Sequence, residues 1–227
     1  MNAHGGKPAT MARVLIGCET SGIVRNAFLD AGHDCWSCDL LPSDTPSNRH
    51  IQDDVRNVIE YQRWDMLAVM HPPCTRLCNS GVRWLHKAPP GKTLDQMWRE
   101  LDDGCALFSD LWNCDIPLVA VENPVMHRHA KERIRNYRPH SQSVQPWQFA
   151  DADDSADNVK KRTCFWLRGL PTLIPTGQLD GSTARDECHK APPSADRWKI
   201  RSKFYHGIAS AMADQWGAIA QAGRAAA

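Results

Sequence analysis

The stretch HPPCTRLCNSG, residues 71–81, sets a cysteine directly behind two prolines. Proline lacks the backbone N–H, fixes φ, and drives the residue before it out of the helical region. Cys74 is therefore expected in a stiff, non-helical loop, with Pro72 and Pro73 as its supports. A thiol held that way suits nucleophilic chemistry, in which sulfur adds to an electron-poor carbon and later leaves. Further along, VENP, residues 121–124, ends an apolar run in Glu122 and Asn123. Burial at a strand end raises a carboxyl group toward a pKa useful for moving protons. Arg76, two residues past Cys74, is placed to stabilise a thiolate. Cys78 reads as structural rather than as a resolving thiol.

A second set of residues suggests a nucleotide-like ligand. CETSG, residues 18–22, has the look of a nucleotide-binding turn, although it is poor in glycine. Gly17 and Gly22 bracket it, and Glu19 and Ser21 are its polar members. Asp39, about 20 residues on, stands where an acid binds ribose hydroxyls. Asp54 could bond an adenine amino group. Taken singly, each Asp also reads as a solvated loop residue or a helix cap.

Bringing these groups together requires a frame. ARVLIG (12–17), DCWSCDL (34–40), WDMLAVM (64–70), IPLVAVENP (116–124) and TCFWLRGL (163–170) read as strands, and HIQDDV (50–55) as a short strand or turn. IVRNAFLDAG after the first has helical spacing and closes at Gly32. Residues 95–113 and the segment after Tyr205 also read as helices. Strands alternating with helices imply an α/β layered sheet. In such a sheet ligands bind at the carboxyl ends of the strands, where Cys74, Glu122, Asp39 and the 18–22 turn would meet.

With 227 residues, 42% hydrophobic and 23% charged, the chain suits one sizeable core. A net charge of +1 does not mark a bulk polyanion binder, yet leaves room for a local basic face. No run approaches a membrane span, and MNAHGGKPAT lacks the apolar core of a secretory signal. Nine cysteines at irregular spacing fit a reducing cytosol. Residues 1–10 are expected as a flexible leader and 11–227 as a single domain.

Together these residues resemble the cytosine-C5 DNA methyltransferase family, and within it the short phage-type DNA methylases. The likeness rests on CETSGIVRNAF for the methyl-donor turn, SCDLLP and DDV for the donor's ribose and adenine, and PPCT for the nucleophile. VENP stands where the family has Glu-Asn-Val. KRTCFWL falls at the family's arginine-rich approach to a strand, and RSKFYHGIASAMADQWG resembles its closing motif. The resemblance implies a Rossmann-like S-adenosylmethionine-dependent methyltransferase fold, with a mixed, mostly parallel sheet and helices on both faces. It implies Cys74, Glu122, Asn123 and Pro73 as the catalytic set. It implies S-adenosylmethionine held by Gly17, Glu19, Ser21, Gly22, Asp39, Asp54, His71 and Pro72, and DNA contacted by Arg76, Lys161 and Arg162. Cys74 would add to carbon 6 of a flipped cytosine while Glu122 protonates ring nitrogen 3 and carbon 5 takes the methyl group. A bacterial or phage-infected cytoplasm, and a role in protecting a genome from restriction, follow from the resemblance alone.

The sequence departs from the family's pattern. Ile16 and Cys18 flank the donor turn, where an aromatic residue and paired glycines are usual. The Gln-x-Arg-x-Arg motif is represented by Val159, Lys161 and Thr163. His71 stands where the family usually has glycine. That keeps open carboxy-S-adenosylmethionine as the donor, its added charge facing His71, Arg25 or Arg76. Residues 169–200 are far shorter than the family's target-recognition region. A reduced insert of this kind implies short or relaxed specificity, or recognition supplied by a homodimer or an accessory subunit.

Other features have plainer readings. Cys35 and Cys38 could form half a zinc site with Cys188 and His189, but their place in a strand argues against it. His127 and His129 read as a solvated helix surface, and Trp147 as a core residue. Two other classes compete. A nucleotide-dependent oxidoreductase should show Gly-x-Gly-x-x-Gly, which is absent. A non-catalytic DNA-binding relative need not keep Cys74 together with Glu122.

Overall fold

The computed structural model describes residues 11–187 and 204–226. Its strands are β1 (Arg13–Gly17), β2 (Asp34–Asp39), β3 (His50–Gln52), β4 (Met66–Val69), β5 (Leu118–Asn123), β6 (Gln142–Val144) and β7 (Thr163–Arg168). They form one sheet in the order β3-β2-β1-β4-β5-β7-β6. The first five run parallel, and β7 runs antiparallel to both β5 and β6. The helices are α1 (Ile23–Asp30), α2 (Val55–Val58), α3 (Leu94–Trp112), α4 (Arg128–Arg133) and α5 (His206–Ala226).

The central strands are apolar on both sides because helices cover both faces. Val14, Ile16, Ala68 and Ala120 point into a layer filled by Phe28 of α1 and Met212 and Trp216 of α5. Leu15, Leu67, Val69, Val119 and Val121 point the other way, against Val58 of α2 and Met97, Phe108 and Leu111 of α3. The Rossmann-like arrangement expected from the sequence, mostly parallel with helices on both faces, is the one found.

Elements with long apolar runs or strong caps stand where the sequence indicates. Thr93 and Gln96 close a capping box at the start of α3, and Gly32 follows α1 at φ 84°. HIQDDV divides into β3 and the cap of α2. β6 is three residues, QSV, with no apolar periodicity to announce it.

Residues 169–187 lie across the domain rather than apart from it. Gln142 of β6 accepts from the Leu173 amide at 2.8 Å, and Trp216 Nε1 of α5 donates to the Pro171 carbonyl at 2.9 Å. The rest of the short insert, Cys188 and His189 included, lies outside the described residues, as do residues 1–10. Cys35 packs in one layer and Cys38 in the other, so this pair cannot share a metal ion. Among the described residues no helix is long and apolar enough to cross a membrane.

Candidate active site

The loop after β4 is stiffened twice, by its prolines and by stitching to its neighbours. The amides of Leu77 and Cys78 both donate to the Cys74 carbonyl at 3.0 Å. Asn79 donates to Val125, and His127 to Leu77, so residues 77–79 bridge the chain that leaves β5. The His127 ring bonds the Arg76 carbonyl. Gly81 lies against the Thr75 carbonyl so closely that a Cβ there would sit 1.8 Å from its oxygen. This bridging ties the loop of Cys74 to the chain that leaves the strand end of Glu122.

Glu122 and Cys74 stand at the same edge of the sheet. The neighbouring Cys78 thiol and burial raise the Cys74 pKa, and the Glu122 carboxylate is near enough for its charge to raise it further. Glu122 is 7% exposed. Burial pushes its pKa up to about 7, against the pull of the Lys161 ammonium. Asn123 is fully buried, and both its amide oxygen and its nitrogen lack a partner among the described residues. An unpartnered buried amide costs about 1–3 kcal/mol per group, so such groups point to a functional position.

Lys161, just before β7, joins this group. It lowers both the Glu122 and the His71 pKa, and its Nζ lies 5.5 Å from the Tyr205 ring centre. His71 lies two residues beyond β4, with its ring edge-on to Phe204 at 5.8 Å. Burial, aided by Lys161, pushes His71 down to about 3, so its ring is neutral at pH 7. Its Nε2 is sealed from solvent and has no partner among the described residues.

A cavity of about 320 Å³ opens beside these groups, at the ends of β1 to β4. Asp39, Asp54, His71 and Pro73 line it, joined by Cys18, Thr20, Leu40, Leu41 and Arg56. Asp39 Oδ1 accepts the Leu41 amide at 2.9 Å, which turns the chain into the cavity wall. Thr20 Oγ1 donates to Asp44 at 3.1 Å and ties that wall to the 18–22 turn. Cys18 takes φ 55°, the left-handed conformation in which glycine would be unstrained.

The remaining residues expected to hold a cofactor have their bonds elsewhere. Glu19 is fully buried, and its carboxylate accepts from Ser21 Oγ and from the amides of Val24 and Arg25. It caps α1 rather than facing the cavity. Gly22 has φ 72°, and a Cβ there would meet the Arg25 guanidinium at 2.2 Å. Gly17 makes room for Val55, and Pro72 is buried. Asp54 caps α2 and holds Arg56 in a two-pronged ion pair.

The three expected DNA-binding cations are not brought together. Arg76 Nε bonds Glu100 of α3 at 2.7 Å and fastens the loop to that helix. Lys161 faces the Glu122 side, while Arg162, on the alternate position, bonds Ser143 of β6 at 3.2 Å. Trp147 packs on Gly181. Cys18, Thr20, Leu40 and Leu41 fall inside the CETSG and SCDLLP stretches, but the sequence assigns them no contact there, and Arg56 stands two residues past Asp54. Their adjacency to Glu19, Asp39 and Asp54 is the signal that could have found them.

Fold and site together define an α/β layered protein with a ligand cavity and a thiol–carboxyl pair at the strand ends. No family model matches the chain, and no curated protein matches it. Among solved structures, it is similar to a protein encoded within an E. coli prophage and provisionally assigned as a DNA modification methyltransferase. The match has 14% identity and a TM-score of 0.40, and covers 69% of this chain and 46% of that one. So distant a likeness, over less than half of the other chain, carries no weight for function, which rests on the site's own geometry.

Proposed function

We propose that the chain is a DNA cytosine-C5 methyltransferase that takes its methyl group from S-adenosylmethionine. The observation that carries this reading is Cys74 beside Glu122, a proline-held thiol near a carboxyl group whose pKa burial raises to about 7. Cys74 adds to carbon 6 of a cytosine turned out of the stack. Glu122 gives its proton to ring nitrogen 3, which eases the addition, and Lys161 steadies the carboxylate that results. Asn123 offers an unspent amide at the same strand end.

The cavity suits the donor. It lies where open α/β sheets bind nucleotides, Asp39 ends β2 in its wall, and His71 lines it. Asp39, Leu40 and Cys18 on one side, and His71 and Pro73 on the other, would hold it. When bound, it supplies an electrophilic methyl group, which activated carbon 5 takes.

Incubation of DNA with isotope-labelled donor, followed by mass spectrometry of the nucleosides, tests the reading. Label in 5-methylcytosine is expected, with Glu122→Gln slowing turnover by about 100-fold. No labelled nucleoside from either single- or double-stranded DNA would contradict it.

One observation favours a second product. Of the cations that could face a carboxylated donor, Arg25 is buried with Glu19 and Ser37, and Arg76 is paired with Glu100. Of these three groups His71 alone lines the cavity, as a neutral hydrogen-bonding ring with the Lys161 charge acting on it. The same nucleoside mass spectrum would show 5-carboxymethylcytosine if carboxy-S-adenosylmethionine is the donor. The packing of residues 169–187 onto β6 and α5 supports short or relaxed recognition. Methylation mapping on random-sequence DNA checks this, and a strict six-base-pair site read by a monomer would contradict it.

A further inference from the structure

His127 is 5% exposed, not the solvated surface residue its neighbours in the chain suggest. Both of its ring nitrogens are in use. Nδ1 accepts the Ala130 amide at 3.2 Å and so caps α4. Nε2 bonds the Arg76 carbonyl. A backbone amide can only donate and a carbonyl can only accept. These partners therefore fix one tautomer, with the proton on Nε2. Burial favours this neutral ring by holding its pKa below the ordinary imidazole value. Ring packing backs the same orientation. His129 stands edge-on to His127 at 5.8 Å, and meets Trp98 of α3 at 5.2 Å and His86 at 6.1 Å.

The bond to Arg76 falls within the nucleophile loop. Arg76 is two residues past Cys74, and its guanidinium is pinned to Glu100 of α3 at 2.7 Å. The His127 ring holds the same residue by its backbone. The His127 amide adds a bond to the Leu77 carbonyl at 3.0 Å. His127 also follows Glu122 on the chain that leaves β5. One residue thus joins the strand that carries the acid, the first turn of α4 and the loop that carries the thiol.

We propose that His127 is a positioning residue for Cys74, its Nε2–H latch on the Arg76 carbonyl setting where the thiol stands relative to Glu122. The proposal deepens the transferase reading and rests on it only for what Cys74 attacks. The imidazole acts through the loop, since its two nitrogens are committed to backbone partners. A nucleophile misplaced by about 1 Å can lose about 100-fold in rate.

Two substitutions separate the latch from the cap. His127→Asn sets a carboxamide oxygen near the place of Nδ1, where asparagine is a favoured N-cap, but is too short to reach Arg76. His127→Gln sets a carboxamide N–H near the place of Nε2, one methylene too far out to cap Ala130. Three readouts are taken on the whole protein: the urea midpoint, deuterium uptake by the peptide of residues 71–81, and the rate of adduct formation with 5-fluorocytosine DNA and S-adenosylmethionine. His127→Asn is expected to keep the wild-type midpoint, to exchange the Leu77 and Cys78 amides about tenfold faster, and to form adduct about 10–100-fold more slowly. His127→Gln is expected to melt earlier, yet to restore wild-type exchange and an adduct rate within about threefold of wild type. Adduct rates that follow the urea midpoint instead of the latch would overturn the proposal, as would wild-type exchange in His127→Asn or equal losses in both variants. If the exchange pattern holds while wild type forms no adduct, the transferase reading fails and the latch stands.

Discussion

Glu19 and Glu122 make an instructive pair. Both end apolar strands, both are buried, and burial raises the pKa of both. Glu19 spends its oxygens on one hydroxyl and two amides at the start of α1, with the Arg25 charge beside it. Among the described residues, Glu122 has only the nearby Lys161 charge to oppose burial. A buried carboxylate with its acceptors filled is part of the scaffold. One left bare, beside a thiol, retains a proton it can give away. The 18–22 turn and the thiol edge thus use the same residue type for opposite ends.

Glu19→Ala is the most damaging way to break that contrast. It strands two buried amides and leaves the Arg25 guanidinium uncompensated, a loss of about 4 kcal/mol in a urea melt. Gly81→Ala follows. Its methyl group would overlap the Thr75 carbonyl, costing about 3 kcal/mol and displacing Cys74, so adduct formation falls with stability.

Glu122→Gln should do the reverse to stability. The folded-state pKa of Glu122 is raised from 4.5 to about 7, so the native state binds its proton more tightly than the unfolded chain does. Its contribution is therefore intact below pH 4.5 and is lost as pH rises toward 7. Glutamine removes the penalty. The variant should be more stable than wild type by about 2–3 kcal/mol at pH 8, with no gain near pH 4. An equal gain at both values would deny the shift. Smallest is Cys18→Gly at φ 55°, where relief of left-handed strain offsets a more flexible unfolded chain, leaving the melt within about 0.5 kcal/mol of wild type.

The contrast between the two acids also marks what a sequence can carry. The prolines before Cys74, the capping box at α3 and the apolar runs of β1, β4 and β5 act locally, so they are legible residue by residue. Whether a buried acid finds donors depends on what folds over it. Ser21, Val24 and Arg25 are near Glu19 in the chain, and a helix-capping role could have been read there. Nothing near Glu122 forecasts Lys161, which arrives from the far side of β7. Arg76 and Arg162 look alike in sequence to Lys161, yet α3 and β6 claim them. The dwarf elements α2 and β6 are too short to show a period, and tertiary pairing alone defines them.

DNA containing 5-fluorocytosine, incubated with S-adenosylmethionine and then resolved under denaturing conditions, tests the central claim most directly. Fluorine cannot leave as a proton does, so sulfur added to carbon 6 stays bonded to the ring. Wild type should run as a covalent protein–DNA species with Cys74 carrying the nucleotide, and Cys74→Ala should give none. No adduct from folded wild type, or an equal yield from Cys74→Ala, would contradict the account.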